Sequence, residues 1–423
     1  MSSLPLQLPT LQNWSCHNCG GCCKQHLIEI TEEERQRILS QNWTAADGVP
    51  ADRPLVEWFA GPPWKKRYRL AHRSDGGCVF LDEQGLCRIH ARFGEPAKPL
   101  ACRIYPYAFH PHGKSIAVSL RYSCPSVVAN LGRPVKQQLG DLQQLESLVV
   151  PAGAERMPPP RVSRRERVDW PAFDVLLQRA DQFLDSNVVP ILLRMFRVLA
   201  FANLVNQMEF GGADVKQVRE LVQLIGTMVS DEFQQLPEKI DEPSPVGRLY
   251  FRLFAAQYAR KDTAADLAAG WSGRWRLFRA VLQFSRGKGD APPLQDAFRP
   301  VPFAALEEPH GGLPDGAAEL LIRYFRVKIQ GLHFCGPAFY DVPFVEGLHN
   351  LMLIAPVTLW LSRWLARSAD RTRIELGDVQ HALAIADHHH GYSPFLGQRH
   401  ARQRIRHLSA SGDLARLCAW YAR

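Results

Sequence analysis

The chain has 423 residues, 46% of them hydrophobic, which is material for two or three domains with their own cores. A net charge of +9 bears on solubility and on weak attraction to anionic partners, not on fold. No helix-turn-helix, zinc-finger helix or RNA-binding aromatic motif accompanies that charge, so nucleic acid is not an expected partner.

Met1 to Asn13 contains no early Lys or Arg and no apolar run of secretory length. The longest apolar run, Leu351 to Leu361, is interrupted by Pro356 and reads as a buried helix rather than a membrane span. A cytoplasmic protein without a membrane segment is therefore expected, in a compartment that keeps thiols reduced.

Taken in order, the first predicted element after the opening cysteines is a short strand over His26–Ile30. Thr31-Glu32-Glu33-Glu34 then has the form of a capping box that starts a helix through Ile38 and Leu39. Residues 41–77 read as loop, with prolines at 50, 54, 62 and 63 and the basic aromatic stretch Trp64 to Arg69. Two short strands are expected at 77–81 and 85–90, around the turn Asp82 to Gly85, and another at Ser115–Leu120. Residues 151–168 resemble a hinge, with Pro158, Pro159 and Pro160 followed by Arg161, Arg164, Arg165 and Arg167.

From Trp170 the apolar spacing becomes helical. Helices are expected near 170–183, 189–204, 213–229, 244–260, 264–285, 315–332, 343–366 and 376–389, with a Gly/Pro-rich linker at 286–314. The fold class is mainly α: a small irregular cysteine-rich module (1–135), a linker (136–168) and an all-α domain (169–423).

Cysteine distribution is the strongest signal. Cys16, Cys19, Cys22, Cys23, Cys78, Cys87, Cys102 and Cys124 precede residue 125, and only Cys335 and Cys418 follow. Thiolates are soft donors suited to Zn²⁺ or an iron–sulfur centre. Three thiols at two-residue gaps, with Gly20 and Gly21 freeing the backbone, match the way a ferredoxin loop holds three corners of a [4Fe–4S] cube. Cys124-Pro125 resembles the remote fourth ligand. Structural zinc sites more often take two thiolates from each of two knuckles. Zinc and iron both stay open, as do disulfides and simple reduced core thiols, which the expected compartment and the clustering disfavour. Neighbours Cys22 and Cys23 are expected to face different directions.

Cys16-x-x-Cys19-x-x-Cys22-Cys23, Cys78-x-Phe80-Leu81, Cys87-x-Ile89 and Lys98-Pro99-x-x-Cys102-Arg103-x-Tyr105-Pro106 together resemble the YkgJ-type cysteine-cluster family. That family chelates zinc or iron and includes proteins like flagellin lysine-N-methylase. The resemblance spans residues 14 to 130. It implies metal chelation by the eight N-terminal thiols and, more distantly, S-adenosylmethionine-dependent methylation of a protein lysine. Lys98 stands where the family pattern has arginine.

Around the thiols, Arg103 is a candidate to offset thiolate charge, and Phe80, Leu81 and Tyr105 to pack over the site. His17, His90, His110 and His112 are not needed as ligands beside eight thiols. His388, His389 and His390 read as a solvated helix end. No Gly-rich phosphate turn, P-loop, Gly-x-Ser-x-Gly elbow or His-Glu-x-x-His is present, so a doubly wound methyl-donor site is not expected. The sequence names no catalytic residue. Asp341 and Glu346, in the turn-rich aromatic segment Phe334–Gly347, are candidates to line a pocket.

Overall fold

The protein is described here by a computed structural model covering residues 4–237, 241–261 and 270–423. Its first third strings short elements between turns. These are β1 (Leu6–Gln7), α1 (Gly21–Gln25), β2 (Glu29–Ile30), α2 (Glu32–Ser40), β3 (Val56–Ala60), β4 (Arg67–Leu70), α3 (Arg88–Phe93), α4 (Leu100–Ile104), β5 (Tyr107–His112), β6 (Ser115–Leu120), α5 (Pro125–Val128) and α6 (Leu139–Val149). The capping box opens α2 as expected: the Glu34 amide donates to Thr31 Oγ1 at 3.2 Å, and the Thr31 amide donates to Glu34 Oε2 at 2.9 Å. The second oxygen of Glu34 accepts from the Leu100 amide at 2.7 Å, so one carboxylate joins α2 to α4.

Two sheets organise this region, with strand orders β2-β4-β3 and β1-β6-β5. β4 and β3 arise where the sequence suggested only loop. Arg67 and Arg69, two residues apart on one face of β4, pair to either side across the sheet with Glu29 (2.5 Å) and Glu57 (2.9 Å). The expected strand at 77–81 is instead a turn, and that at 85–90 a turn running into α3 at Arg88; single bridges, His72 to Cys78 and Leu81 to Cys87, join the turns. The cause is Asp82, whose Oδ1 accepts from the amides of Gln84 (3.0 Å) and Leu86 (2.7 Å) and curls the chain before a ladder can form. β5 carries Pro111 opposite Ile116, which an edge strand tolerates.

Within the expected linker, α6 forms over Leu139–Val149, and Val162 is fully buried with its carbonyl accepting from Val345 N. The helical body then runs α7 (Trp170–Leu184), α8 (Ile191–Val205), α9 (Val215–Glu232), α10 (Pro245–Ala259), α11 (Gly270–Arg286), β7 (Asp290–Ala291), β8 (Val301–Pro302), α12 (Phe303–Glu307), α13 (Ala317–Gln330), α14 (Phe344–Ser368), α15 (Leu376–His389), α16 (Arg399–Ala410) and α17 (Asp413–Tyr421). The helix expected at 264–285 is described only from Gly270; residues 264–269 lie outside the described residues. α16 and α17 went unanticipated because their arginines and short length mask the apolar period.

α14 is the axis of this body. Apolar residues occupy every face of it, and every residue from Phe344 to Ala366 is buried. It is also, among the described residues, the one helix long and apolar enough to cross a membrane, and it lies wholly inside the fold. Pro356 has no N–H to give the Met352 carbonyl, and the Cys418 thiol of α17 approaches that carbonyl at 3.8 Å instead. Arg363, also fully buried, donates to the carbonyls of Leu306, Trp420, Tyr421 and Arg423 at 3.0–3.3 Å. Those carbonyls belong to helix ends, where a cation is favoured.

The buried side chains divide into two clusters. One, built on Ile30, Ile38, Leu70, Val79, Phe80, Leu81 and Ile89, underlies α1, α2, β4 and α3. The other is far larger and runs through the helical body, but it also takes in β6, Tyr107, Tyr122, Cys124 and Val127. The thiols sit along this seam.

Candidate metal centre

Gly20, in the left-handed region at φ 65°, turns the chain into α1 so that Cys22 and Cys23 begin a helical turn. Their sulfurs are 4.0 Å apart, not directed apart as the sequence suggested. Two thiolates ~2.3 Å from one tetrahedral ion lie about 3.8 Å from each other, so this pair has the spacing of one edge of such a site. The second segment docks directly on the first, since the Cys78 amide donates to the Cys23 carbonyl at 2.9 Å. Gly85 (φ 82°) completes the approach: a Cβ there would lie 2.3 Å from the Asn18 carbonyl oxygen.

Mutual electrostatics define the neighbourhood. The hydrogen bond shared by the Cys22 and Cys23 thiols, against the opposing effect of burial and with help from Lys98, pulls Cys22 down to about 6. The same hydrogen bond pushes Cys23 up, followed by burial and by the charges of Cys22, Cys78 and Cys102. Burial raises Cys78 to about 12, with the Phe80 amide opposing and Cys87 and Cys22 adding. Burial likewise raises Cys102, whose neighbours are Cys78, Cys87 and Cys22, while Lys98 opposes. Cys22, Cys23, Cys78, Cys87 and Cys102 thus form one five-thiol group drawn from four segments of chain.

Cys124 stands apart, in the edge of the larger core. Burial raises its pKa, and amides of Val127 and Ser126 oppose that by donating to the sulfur. The thiol it senses is Cys19; a Cβ at Gly21 would lie 3.5 Å from both the Cys19 sulfur and the Pro125 ring. Cys16 is exposed, with its sulfur 3.6 Å from Asn18 Oδ1. Tyr105 is placed between the two sets: burial raises its pKa first, then the charge of Cys124, with a further contribution from Cys22. Cys335 and Cys418 are buried in the helical body and join neither set.

The donor chemistry fits a soft metal ion: eight free thiols, with the Cys22 thiol favoured as thiolate by Cys23 and Lys98 and backbone amides already donating to two others. The five are neighbours rather than a finished cage. Among the described residues, no three Cys, His, Asp or Glu side chains stand at ligating geometry.

The supporting residues differ in part from expectation. Arg103 turns away to pair with Glu95 at 2.9 Å; the cation acting on Cys22 and Cys102 is Lys98, and Arg73 acts on Cys78. Phe80 and Leu81 are each 1% exposed and pack beneath the group as anticipated. His17 and His90 are exposed. His112 pairs with Asp174 at 2.5 Å, and the half-buried His110 packs against His333, ring centroids 4.9 Å apart. Glu346 does line a cavity, of about 430 Å³, and is held by Arg402 at 2.5 Å; Asp341 is exposed.

The end of α15 is a larger correction. His389 and His390 are buried, and His388 stacks on His26 with ring centroids 4.9 Å apart. His26 follows the cysteine helix directly and packs on Tyr105. Beneath them Lys328 and Asp387, both inaccessible, pair at 2.7 Å. Burial opposes the Asp387 charge, yet Lys328 beside it keeps the carboxyl below its usual range; burial lowers Lys328. Asp387 accepts from the Ser123 amide at 3.0 Å and Lys328 donates to the Leu120 carbonyl at 3.0 Å. The helical body therefore grips the strand that leads to Cys124. The sequence signal for this was Asp387 directly before three histidines on an otherwise apolar helix, a face too polar for a core helix without buried partners.

Residues 15–125 match the CxxCxxCC family, described as a "putative zinc- or iron-chelating domain". The lysine-N-methylase of Salmonella choleraesuis is 26% identical over 120 residues, and that of Salmonella typhimurium 25% over 120 residues. Each alignment covers 27% of this chain and 29% of the relative, so the chain spans less than a third of these methylases. Flagellar biosynthetic protein FliU of Salmonella muenchen is 34% identical over 131 residues, which are 29% of this chain and 76% of FliU. No solved structure matches the chain. On the cysteine motifs and this similarity, the chain belongs to the CxxCxxCC cysteine-cluster family.

Proposed function

We propose that the chain is a cytoplasmic metal-chelating protein whose N-terminal thiolates hold a zinc or iron centre. The observation that carries this reading is the gathering of Cys22, Cys23, Cys78, Cys87 and Cys102 from four segments, with one sulfur pair at the spacing of a tetrahedral edge. Four of these five would hold a first ion; Cys16, Cys19 and Cys124 are the candidates for a second centre or for reserve thiols. Bound metal would supply a cross-link among segments that bury little surface by themselves. Lys98 offsets thiolate charge, the Phe80 amide orients the Cys78 sulfur, and Tyr105 keeps water from the inner side.

Anaerobic purification with metal and sulfide analysis and a visible spectrum tests the reading. Colourless protein with stoichiometric zinc means a tetrathiolate site; brown protein with sulfide equal to iron means an iron–sulfur cluster, [4Fe–4S] among the forms expected. Protein that is folded, metal-free and unable to take up either ion sinks the proposal.

A second reading rests on the similarity to lysine-N-methylases: S-adenosylmethionine-dependent methylation of a lysine on a protein substrate such as a flagellin. Labelled donor incubated with chain and candidate substrates decides it. Methyl incorporation that Cys16→Ser abolishes supports the enzyme; neither donor binding nor incorporation removes it.

A further inference from the structure

α11 has two apolar faces where a surface helix needs one. Gly273, Ala280 and Phe284 face inward, and Phe284 meets Trp360 and Trp364 in the core. On the other side Trp271, Trp275, Phe278 and Leu282 are 84, 62, 51 and 39% exposed. Their spacing of four, three and four residues is that of the seam by which one helix packs on another. Trp275 and Phe278 are stacked, centroids 5.5 Å apart, so the seam is already ordered. Isolated exposed apolar residues are ordinary, but a continuous stripe of this kind marks an interaction surface.

Charge selects the partner. With Trp275 and Leu282 in the a positions of a heptad, Arg274, Arg279 and Arg286 occupy the flanking g and e positions, and the described helix contains no carboxylate at all. Of the seam, Trp275 also lines a cleft of about 1130 Å³ together with Arg279; its far wall is the cysteine module, and its cations, Lys24, Arg53 and Lys261 among them, outnumber its carboxylates Glu57, Asp75 and Asp296, of which Asp75 is paired with Arg73. A rod ~10 Å across filling that volume would be about 14 Å long, roughly three helical turns. A concave, two-walled cleft admits a rod and not a flat bilayer. A second copy of α11 would bring arginines against arginines, which disfavours self-association.

We propose that the α11 seam and its cleft bind an amphipathic helix of a partner protein, with apolar residues at its a and d positions and Glu or Asp at e and g. This does not depend on whether the thiols hold metal. Because Lys24 and His26 directly follow Cys22 and Cys23 and line the same cleft, a helix seated there lies against the cysteine helix.

The test uses the full chain and two synthetic four-heptad peptides, leucine at a and d, one with glutamate and one with lysine at e and g. Anisotropy of the labelled peptides and emission of the chain's own tryptophans are recorded. The glutamate peptide should bind at least ~10-fold tighter than the lysine peptide, an electrostatic preference that added salt weakens. Arg274→Glu with Arg279→Glu should invert the preference, and Trp275→Ala with Phe278→Ala should abolish binding of the glutamate peptide; all four positions are exposed, so folding is retained. Equal affinity for both peptides, absence of binding, or a preference unmoved by the charge reversal overturns the proposal. So does binding to phosphatidylglycerol vesicles that the glutamate peptide does not compete, or a dimer of the chain alone that Trp275→Ala dissolves.

Discussion

The two hydrophobic clusters differ in what holds them. The helical body wraps a 25-residue helix whose every face is covered, with Trp360, Trp364, Phe284 and Phe298 packed ring against ring along one side. At roughly 1.5–3 kcal/mol for each large side chain removed from water, such a core is self-sufficient. The smaller cluster, under the cysteine-bearing segments, holds ten buried hydrophobic residues among those described, two of them only Ala71 and Cys78, across a span of some sixty residues. A core of that size is marginal without a staple. The contrast teaches that the same chain uses apolar burial in one region and a set of sulfur donors in the other.

Removing metal should separate the two regions most sharply. A strong chelator, or Cys78→Ser with Cys102→Ser, is expected to abolish hydrogen-exchange protection across 21–104 while the amides of α14 stay protected. Simultaneous loss of both would mean one cooperative unit and would erase the distinction.

Next in size is Asp387→Ala, which leaves Lys328 buried without its counter-charge and should cost about 3–5 kcal/mol in urea unfolding. Replacing both partners with apolar residues, Asp387→Leu with Lys328→Met, should recover most of that loss. Equal damage from the single and double changes would show that the pair's bonds to Ser123 and Leu120, rather than its charges, matter.

Acid should weaken the helical body by a comparable or smaller amount. Burial depresses His349 and His110 to about 4, and His390 to about 3. These rings are neutral when folded and protonate near 6.5 when unfolded. Their contribution is full above that value and is lost as pH falls from ~6.5 toward the folded values, on the order of 3 kcal/mol for one such group. His349, hydrogen-bonded to Ser409 and distant in sequence from the thiols, isolates the effect: His349→Gln should flatten the decline in the urea midpoint between pH 7 and 5.

The smallest effect distinguishes the two cations flanking the thiols. Lys98→Met is expected to weaken metal affinity about 10-fold, in the range of other supporting residues around metal sites, whereas Arg103→Met should leave it unchanged. The reverse result would return Arg103 to the thiols.

Much of this contrast was legible in the chain. Spacing of three and four located the helices of the body to within a few residues, and the cysteine gradient marked the module. What escaped were features set by distant partners. β4 depends on Glu29 and Glu57 meeting Arg67 and Arg69, pairs 38 and 12 residues apart. His388 to His390 looked solvated because nothing local reveals that His26 and Lys328 cover them. The separation of Cys124 from Cys102 follows from the core each joins, which spacing along the chain does not encode.

The grip of Asp387 on the Ser123 amide also has a consequence in time. During synthesis the loop Cys16–Cys23 leaves the ribosome hundreds of residues before α15 exists. Cys124 cannot take its final place until that late helix has folded against it. The five-thiol group has no such requirement, so ion capture there can begin on the nascent chain while the remaining three thiols wait for release.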